Sequence, residues 1–152
     1  MVSSSSGEDS KPPVMQIKSV LKSYASTLGC VVRMEDDNIL SFDIDGDGKK
    51  EFVVLFSLDP GCSGGTATHR SVFAVLEREP HAQVFVRPQQ SFPAAPLEGF
   101  VQNIDRIFVE DGELWYVGKD FDWSNDARCC PSVPVKAPFY FRDGAWVDSR
   151  GP

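Results

Sequence analysis

The feature that most constrains the fold is a change of hydrophobic period at Gly29. Before this glycine, apolar residues recur every three or four positions, as they do on one face of an amphipathic helix. Glycine is the usual residue just beyond the end of a helix, so the pattern stops where a helix would stop. We therefore predict one helix at about 13–28. Its apolar positions are Ile17, Val20, Leu21, Tyr24 and Leu28.

After Gly29 the period is two, and short runs rich in β-branched and aromatic residues are separated by turn residues, which predicts strands. The segment 52–58 is apolar at nearly every position, so we expect a central strand covered on both faces. The pairs Asp111-Gly112 and Asp143-Gly144 are typical of two-residue hairpin turns. The predicted strands lie near 30–35, 38–44, 51–58, 70–77, 82–88, 103–109, 113–119, 136–142 and 145–148.

Sequential hairpins favour a single antiparallel meander. The sequence thus predicts an α+β fold, in which one N-terminal helix packs on a mainly antiparallel meander sheet. The segments 58–69 and 119–135 are rich in Gly, Pro, Ser and Asp and are predicted to be long loops. We expect residues 1–11 to be a flexible N-terminal tether and residues 12–152 to form a single domain.

Charge narrows the classes of partner. Fifteen basic and twenty-two acidic residues give a net charge of -7, which repels nucleic-acid backbones and anionic lipid surfaces. A cationic protein, a peptide or a metal ion suits this charge better. No run of apolar residues is long enough for a membrane span.

The polar segment SSSSGEDSKPP near the N-terminus is typical of chain that follows a cleaved signal or a lipid-anchored cysteine. We therefore expect a periplasmic or otherwise extracytoplasmic protein whose signal segment has been removed.

The four cysteines, Cys30, Cys62, Cys129 and Cys130, allow three disulfide pairings. A bond between the two adjacent cysteines would close a strained ring. We therefore expect Cys129 and Cys130 to bond to Cys30 and Cys62, in either order, which would fasten both long loops. A zinc site is disfavoured because adjacent cysteines lack the spacing that lets two sulfurs face one metal.

The segment 43–51 has the ligand spacing of a calcium loop. Asp43, Asp45, Asp47 and Glu51 match positions 1, 3, 5 and 9, and the carbonyl of Lys49 would supply position 7. Alternate carboxylates in such a loop curl round one ion. We therefore predict that these five residues can bind calcium, which is the one cofactor that the sequence suggests.

The loop departs from an EF-hand, and a metal-free turn is the alternative interpretation. Position 12 of an EF-hand is a glutamate, but here it is Val54 within an apolar run, so the loop is not an EF-hand. It is similar instead to the DxDxDG loops between strands of integrin-type repeats. The alternative is a metal-free turn of Asp and Gly, with Lys49 and Lys50 partly relieving the repulsion between the carboxylates.

Three motifs in combination resemble small bacterial exported proteins and lipoproteins of the LppP/LprE type. They are DxDGDGxxE before an apolar strand, a glycine-rich GCSGGT turn, and CCPS leading into an aromatic strand. The resemblance covers about residues 38–148, and it implies an exported location and a fold more than a chemistry. In this chain Val133 and Pro134 follow CCPS, where the family often has glycine. The residues that carry the resemblance are Asp43, Asp45, Gly46, Asp47, Gly48, Glu51, Gly64, Gly65, Cys129, Cys130, Pro131 and Ser132.

The long loop near 119–135 contains the residues that we expect to bind a partner, namely Phe121, Trp123 and Asp126. Aromatic residues are enriched at interface hot spots, whereas Trp115 and Trp146 lie on predicted strands and suit the core. The leading hypothesis is therefore a non-enzymatic periplasmic binding protein, for example an immunity protein or an inhibitor of a secreted toxin or hydrolase.

The alternative hypothesis is an envelope lipoprotein with a structural or small-ligand role, stiffened by the calcium loop. A hydrolase is the weakest candidate, because no GxSxG, HExxH or GxGxxG motif occurs. His69 and His81 lie near predicted loop edges, where a histidine is usually solvated. We predict no catalytic residue.

Overall fold

The computed structural model describes residues 12–27, 29–58, 70–78, 83–91, 97–98, 103–127 and 130–148. The predicted tether at 1–11, most of the predicted loop at 58–69 and both histidines lie outside these residues.

The predicted helix is present as α1, Val14–Thr27, with Ile17, Leu21 and Ala25 buried along one face. Two further backbone contacts close its C-terminus: Cys30 N–H donates to the Ala25 carbonyl at 2.9 Å and Gly29 N–H donates to that of Ser26 at 3.0 Å. This pair of bonds requires a left-handed residue, and Gly29 has a φ of +73°. The predicted stop signal is thus confirmed.

The described residues also form ten strands and two short 3-10 turns. The turns are Asp36–Asn38 and Pro88–Gln90. The strands are β1 Val32–Arg33, β2 Ile39–Phe42, β3 Glu51–Leu58, β4 Arg70–Arg78, β5 Val84–Val86, β6 Leu97–Glu98, β7 Asn103–Glu110, β8 Glu113–Asp120, β9 Val133–Arg142 and β10 Ala145–Asp148.

The strands form two sheets, so the prediction of one meander sheet was wrong. In sheet 1, β1 and β2 both pair with β3, which is followed by β4 and β5. In sheet 2 the order is β6-β10-β9-β8-β7. Pairing is antiparallel except between β6 and β10, and the α+β class is confirmed. Local pattern predicted every described strand except β6, but it could not show that pairing is interrupted after β5.

The described elements pack in three layers, with sheet 1 between α1 and sheet 2. On β3, Val53 and Leu55 belong to the core shared with sheet 2, whereas Val54 and Phe56 belong to the core shared with α1. The prediction that β3 is covered on both faces is therefore confirmed. Full burial of each such side chain contributes about 1.5–3 kcal/mol.

A buried asparagine connects the two sheets. The Asn38 side chain donates to the Asp105 carbonyl at 3.3 Å and accepts from Ile107 N–H at 3.0 Å. The pairing of β7 with β8 shifts register between Ile104 and Arg106, so Asn38 binds the backbone of β7 at an irregular point. It thereby positions the segment that leads into β2 and the acidic residues beyond it.

Both predicted two-residue hairpins are present. Asp111 and Asp143 each have a φ of +52°, and the glycines that follow them also have positive φ. Among the described residues, no helix is long and apolar enough to cross a membrane.

Candidate functional site

Two loops carry the residues that the sequence singled out. The acidic hairpin, residues 43–51, joins β2 to β3, and its last residue begins β3. The aromatic loop, residues 121–132, joins β8 to β9 and is described except at 128 and 129.

Aspartate side chains fold the acidic hairpin. The two carboxylate oxygens of Asp43 accept the N–H groups of Gly46 and Gly48, each at 2.9 Å. Asp45 accepts from Asp47 N–H at 3.3 Å, and Asp47 accepts from Lys49 N–H at 2.8 Å. Such contacts are the usual way in which aspartate stabilises a turn.

The hairpin brings four predicted ligands together. One carboxylate oxygen from each of Asp43, Asp45, Asp47 and Glu51 lies within 4.8 Å of the others, so the cluster could hold a metal ion. The carboxylates are hard oxygen donors, which suit calcium or magnesium better than a soft-ligand metal. The structure shows only the N–H contact of Lys49, so its carbonyl as a ligand stays a prediction.

Glu51 differs from the aspartates because it is buried, with a side chain only 1% exposed. Its Oε1 accepts Ile44 N–H at 3.1 Å. Burial, together with repulsion from Asp45 and Asp47, raises the pKa of Glu51 to about 7, although the Ile44 bond and nearby Arg87 act in the opposite direction. A buried carboxylate is therefore held beside two others in a site where negative charge is unfavourable.

Sequence reasoning missed the cation of this site, Arg87, which directly follows β5. Its Nη1 and Nη2 donate to Asp45 Oδ2 at 3.3 and 3.2 Å, and Nη1 lies 3.8 Å from Glu51 Oε2. Its Nε lies 3.3 Å from Glu77 Oε2. The guanidinium thus contacts one carboxylate on each of the acidic hairpin, β3 and β4.

Arg87 also affects the protonation of Asp45 in the acidic hairpin. Desolvation works against ionisation of Asp45, but the bonds from Asp47 N–H and Arg87 hold the pKa of Asp45 below its ordinary value. The partial relief of the repulsion between the carboxylates by Lys49 and Lys50 stays a prediction. Both are exposed, and neither makes an ion pair with any described residue.

The aromatic loop presents an exposed ring. Trp123 is 83% exposed, and its ring centroid lies 4.9 Å from that of Phe121. Trp146, by contrast, is fully buried, as predicted, and Trp115 is partly buried with its indole N–H bonded to the Glu110 carbonyl. Exposure separates Trp123 from the other two tryptophans.

Asp126 holds this loop in shape. Its Oδ2 accepts the N–H groups of Asp122 at 2.8 Å and Ser132 at 2.9 Å, and the Ser132 hydroxyl donates to the same carboxylate at 2.8 Å. The Asp122 and Ser132 bonds hold the pKa of Asp126 below its ordinary value. The structure thus gives Asp126 a role within the loop, and its contact with a partner stays a prediction.

Cys30 and Cys130 each take part in a disulfide bond, and no described cysteine is free. Cys62 and Cys129 lie outside the described residues, so the connectivity of the four cysteines stays a prediction.

No protein-family model, curated protein or solved structure matches the chain. The resemblance to exported proteins of the LppP/LprE type therefore stays a prediction.

Proposed function

We propose that this chain is a non-enzymatic binding protein of the bacterial envelope, which engages a protein partner through the aromatic loop. The observation that carries this proposal is the 83% exposure of Trp123 beside the ring of Phe121. Tryptophan is the residue type most enriched at interface hot spots, and its burial by a partner gives a large gain in apolar contact.

The loop is organised before any partner arrives. The carboxylate of Asp126 binds two backbone N–H groups and the Ser132 hydroxyl, and Asp122 accepts from Ser124 N–H at 3.0 Å. Cys130 of the same loop is disulfide-bonded. A preorganised loop loses less conformational entropy on binding, so more of the contact energy appears as affinity.

Charge supports a cationic partner. The net charge is -7, and the segment from Asp120 to Ser132 contains three aspartates and one arginine. Such a field speeds encounter with a basic surface. An immunity protein or inhibitor that neutralises a basic secreted toxin or hydrolase is the form of this function that we favour.

Capture of secreted proteins from the source cell tests this proposal. The parent and Met15→Ala should retain the same partner, whereas Trp123→Ala should lose it. Met15 is the matched control, since it is 87% exposed but lies on α1. A partner that remains bound to Trp123→Ala would contradict the proposal.

A second candidate role is calcium binding by the acidic hairpin, which would stiffen the scaffold in an envelope protein with a structural or small-ligand role. It is favoured by the four carboxylates within 4.8 Å of one another. Bound calcium would satisfy Asp43, Asp47 and the buried Glu51, while Arg87 already neutralises part of the charge on Asp45. Without a bidentate twelfth ligand, the affinity should suit extracellular calcium concentrations.

Calcium titration with thermal melting tests this second role. Calcium should raise the melting temperature of the parent and of Asp37→Asn, a control at an exposed aspartate outside the hairpin. Calcium should not change the melting temperature of the double variant Asp45→Asn/Asp47→Asn. A parent whose melting temperature does not respond to calcium would exclude the metal site without affecting the proposal for Trp123.

A further inference from the structure

A groove runs between α1 and the first strand of sheet 1. Its volume is about 630 Å³, within the range of ligand-binding clefts. One wall is formed by Lys18, Lys22 and Ser26, which are spaced four residues apart and therefore share a face of α1. The other wall is the segment 31–34, which contains β1. Cys30, which is disulfide-bonded, also lines the groove.

The strand wall is the edge of a sheet. Among the described residues, the backbone of β1 pairs only with β3, through Val32 with Leu58 and Arg33 with Ser57. An edge strand presents backbone N–H and C=O groups on its open side, where an extended chain can add a further strand.

The dimensions of the two walls agree. The helix wall spans nine residues at about 1.5 Å each, and the strand wall spans four residues at about 3.3 Å each, so both are about 13–14 Å long. A groove of this length accommodates about four residues of extended peptide.

The inner part of the groove is apolar. Val32 and Met34 contact the core between α1 and sheet 1, and Val31 is 61% exposed along the same wall. An extended peptide with alternate apolar side chains would place them against these residues, because successive side chains of a strand point to opposite faces.

The charged lining selects the peptide. Within the described part of the chain, Lys18, Lys22 and Arg33 line the groove and no acidic residue does. Lys18 Nζ lies 2.6 Å from Asp36 Oδ1, whereas Lys22 and Arg33 make no ion pair with any other residue that the structure describes. On a chain with a net charge of -7, these two cations beside the edge strand β1 are complementary to an acidic peptide.

We propose that this groove binds an extended peptide segment with acidic side chains, which adds a strand to β1. The segment belongs to a partner protein, and none of the described residues that line the groove belongs to the aromatic loop or the acidic hairpin. The backbone edge contributes hydrogen bonds, and Lys22 and Arg33 select the acidic sequence.

The test uses a fluorescent, end-capped six-residue peptide of alternating glutamate and valine, with binding followed by anisotropy at low salt. The parent should bind this peptide and should not bind the lysine–valine analogue. Lys22→Glu and Arg33→Glu should each weaken binding about tenfold. Lys119→Glu, a charge reversal at an exposed position on sheet 2, should leave binding unchanged.

A second probe separates strand addition from charge attraction alone. The same glutamate–valine peptide with N-methylated backbone amides keeps its charge but cannot donate to β1, so its binding should be lost. Equal binding of the glutamate–valine peptide and its N-methylated form would overturn the proposal. A loss of binding for Lys119→Glu equal to that for Lys22→Glu would also overturn it. A reversible dimer of the parent that Lys22→Glu dissociates in sedimentation would assign the edge to a second copy of the chain and would likewise overturn it.

Discussion

The acidic hairpin and the aromatic loop are held in shape in the same way but present different surfaces. In both, aspartate carboxylates accept backbone N–H groups of their own loop. In the hairpin, four carboxylates still converge on one point, with Arg87 as the cation beside them. In the aromatic loop, the Asp126 carboxylate is taken up by internal bonds and an apolar ring is left in solvent.

This difference teaches that similar turn chemistry can prepare either an ion site or a protein-binding surface. What decides is the group that the internal hydrogen bonds of each loop leave uncompensated or exposed. In the hairpin that group is excess negative charge, so a cation should stabilise it. In the aromatic loop it is Trp123, so a partner with an apolar pocket should bind it.

The largest expected effect on stability comes from neutralising the buried carboxylate. Glu51→Gln keeps an oxygen for Ile44 N–H but removes a desolvated charge that Asp45 and Asp47 repel. Without calcium at pH 8, we expect the free energy of unfolding to increase by about 3 kcal/mol. Chemical denaturation measures this, with Glu35→Gln as the exposed control. A lower stability of Glu51→Gln would show that the surroundings of Glu51 do not disfavour its ionised carboxylate.

The pH dependence of the parent follows from the same residue. Glu51 has a folded pKa of about 7 against an ordinary value of 4.5, so the folded state retains a proton that the unfolded state has released between these pH values. Stability without calcium should therefore fall by about 2–3 kcal/mol as the pH rises from 4.5 to 7. Denaturation curves across this range should show the fall in the parent, and Glu51→Gln should remove most of it.

A smaller effect is expected at the cation of the hairpin. Arg87→Gln leaves the carboxylates of Asp45, Glu51 and Glu77 without their shared guanidinium. We expect a loss of about 1–2 kcal/mol in the absence of calcium, because these ion pairs are only partly buried. Calcium should recover much of the loss. An Arg87→Gln variant as stable as the parent without calcium would show that Arg87 does not stabilise the carboxylate cluster.

The smallest effect concerns the ring that supports Trp123. Phe121→Leu keeps an apolar side chain but removes the ring contact at 4.9 Å. Affinity for the captured partner should fall by about 0.5–1.5 kcal/mol, while the melting temperature should change little. Titration calorimetry with that partner measures the first quantity, and an unchanged affinity would separate Phe121 from the binding surface.

Sequence patterns predicted the local parts of this molecule well. The bounds of β3 and β10 match their predicted ranges, and α1 differs by one residue at each end. These signals depend on neighbouring residues: periodicity, a stop glycine and the positive φ of Asp-Gly turns. The ligand spacing of the acidic hairpin is equally local, and the structure brings its four carboxylates together as predicted.

The features that the sequence did not predict depend on pairing between strands that are distant in the chain. Arg87 is forty-two residues from Asp45, and it reaches the hairpin only because β5 pairs with β4 and β4 pairs with β3. The division into two sheets and the contact of Asn38 with β7 have the same cause. A cluster of carboxylates does indicate that a counter-charge is needed, but sequence alone pointed to the adjacent Lys49 and Lys50.

The most direct test of the account is one capture experiment with three proteins: the parent, Trp123→Ala and Glu51→Gln. If the two loops have separate roles, the partner should be retained by the parent and by Glu51→Gln and lost by Trp123→Ala. Retention by Trp123→Ala, or loss by Glu51→Gln with its fold intact, would contradict the account.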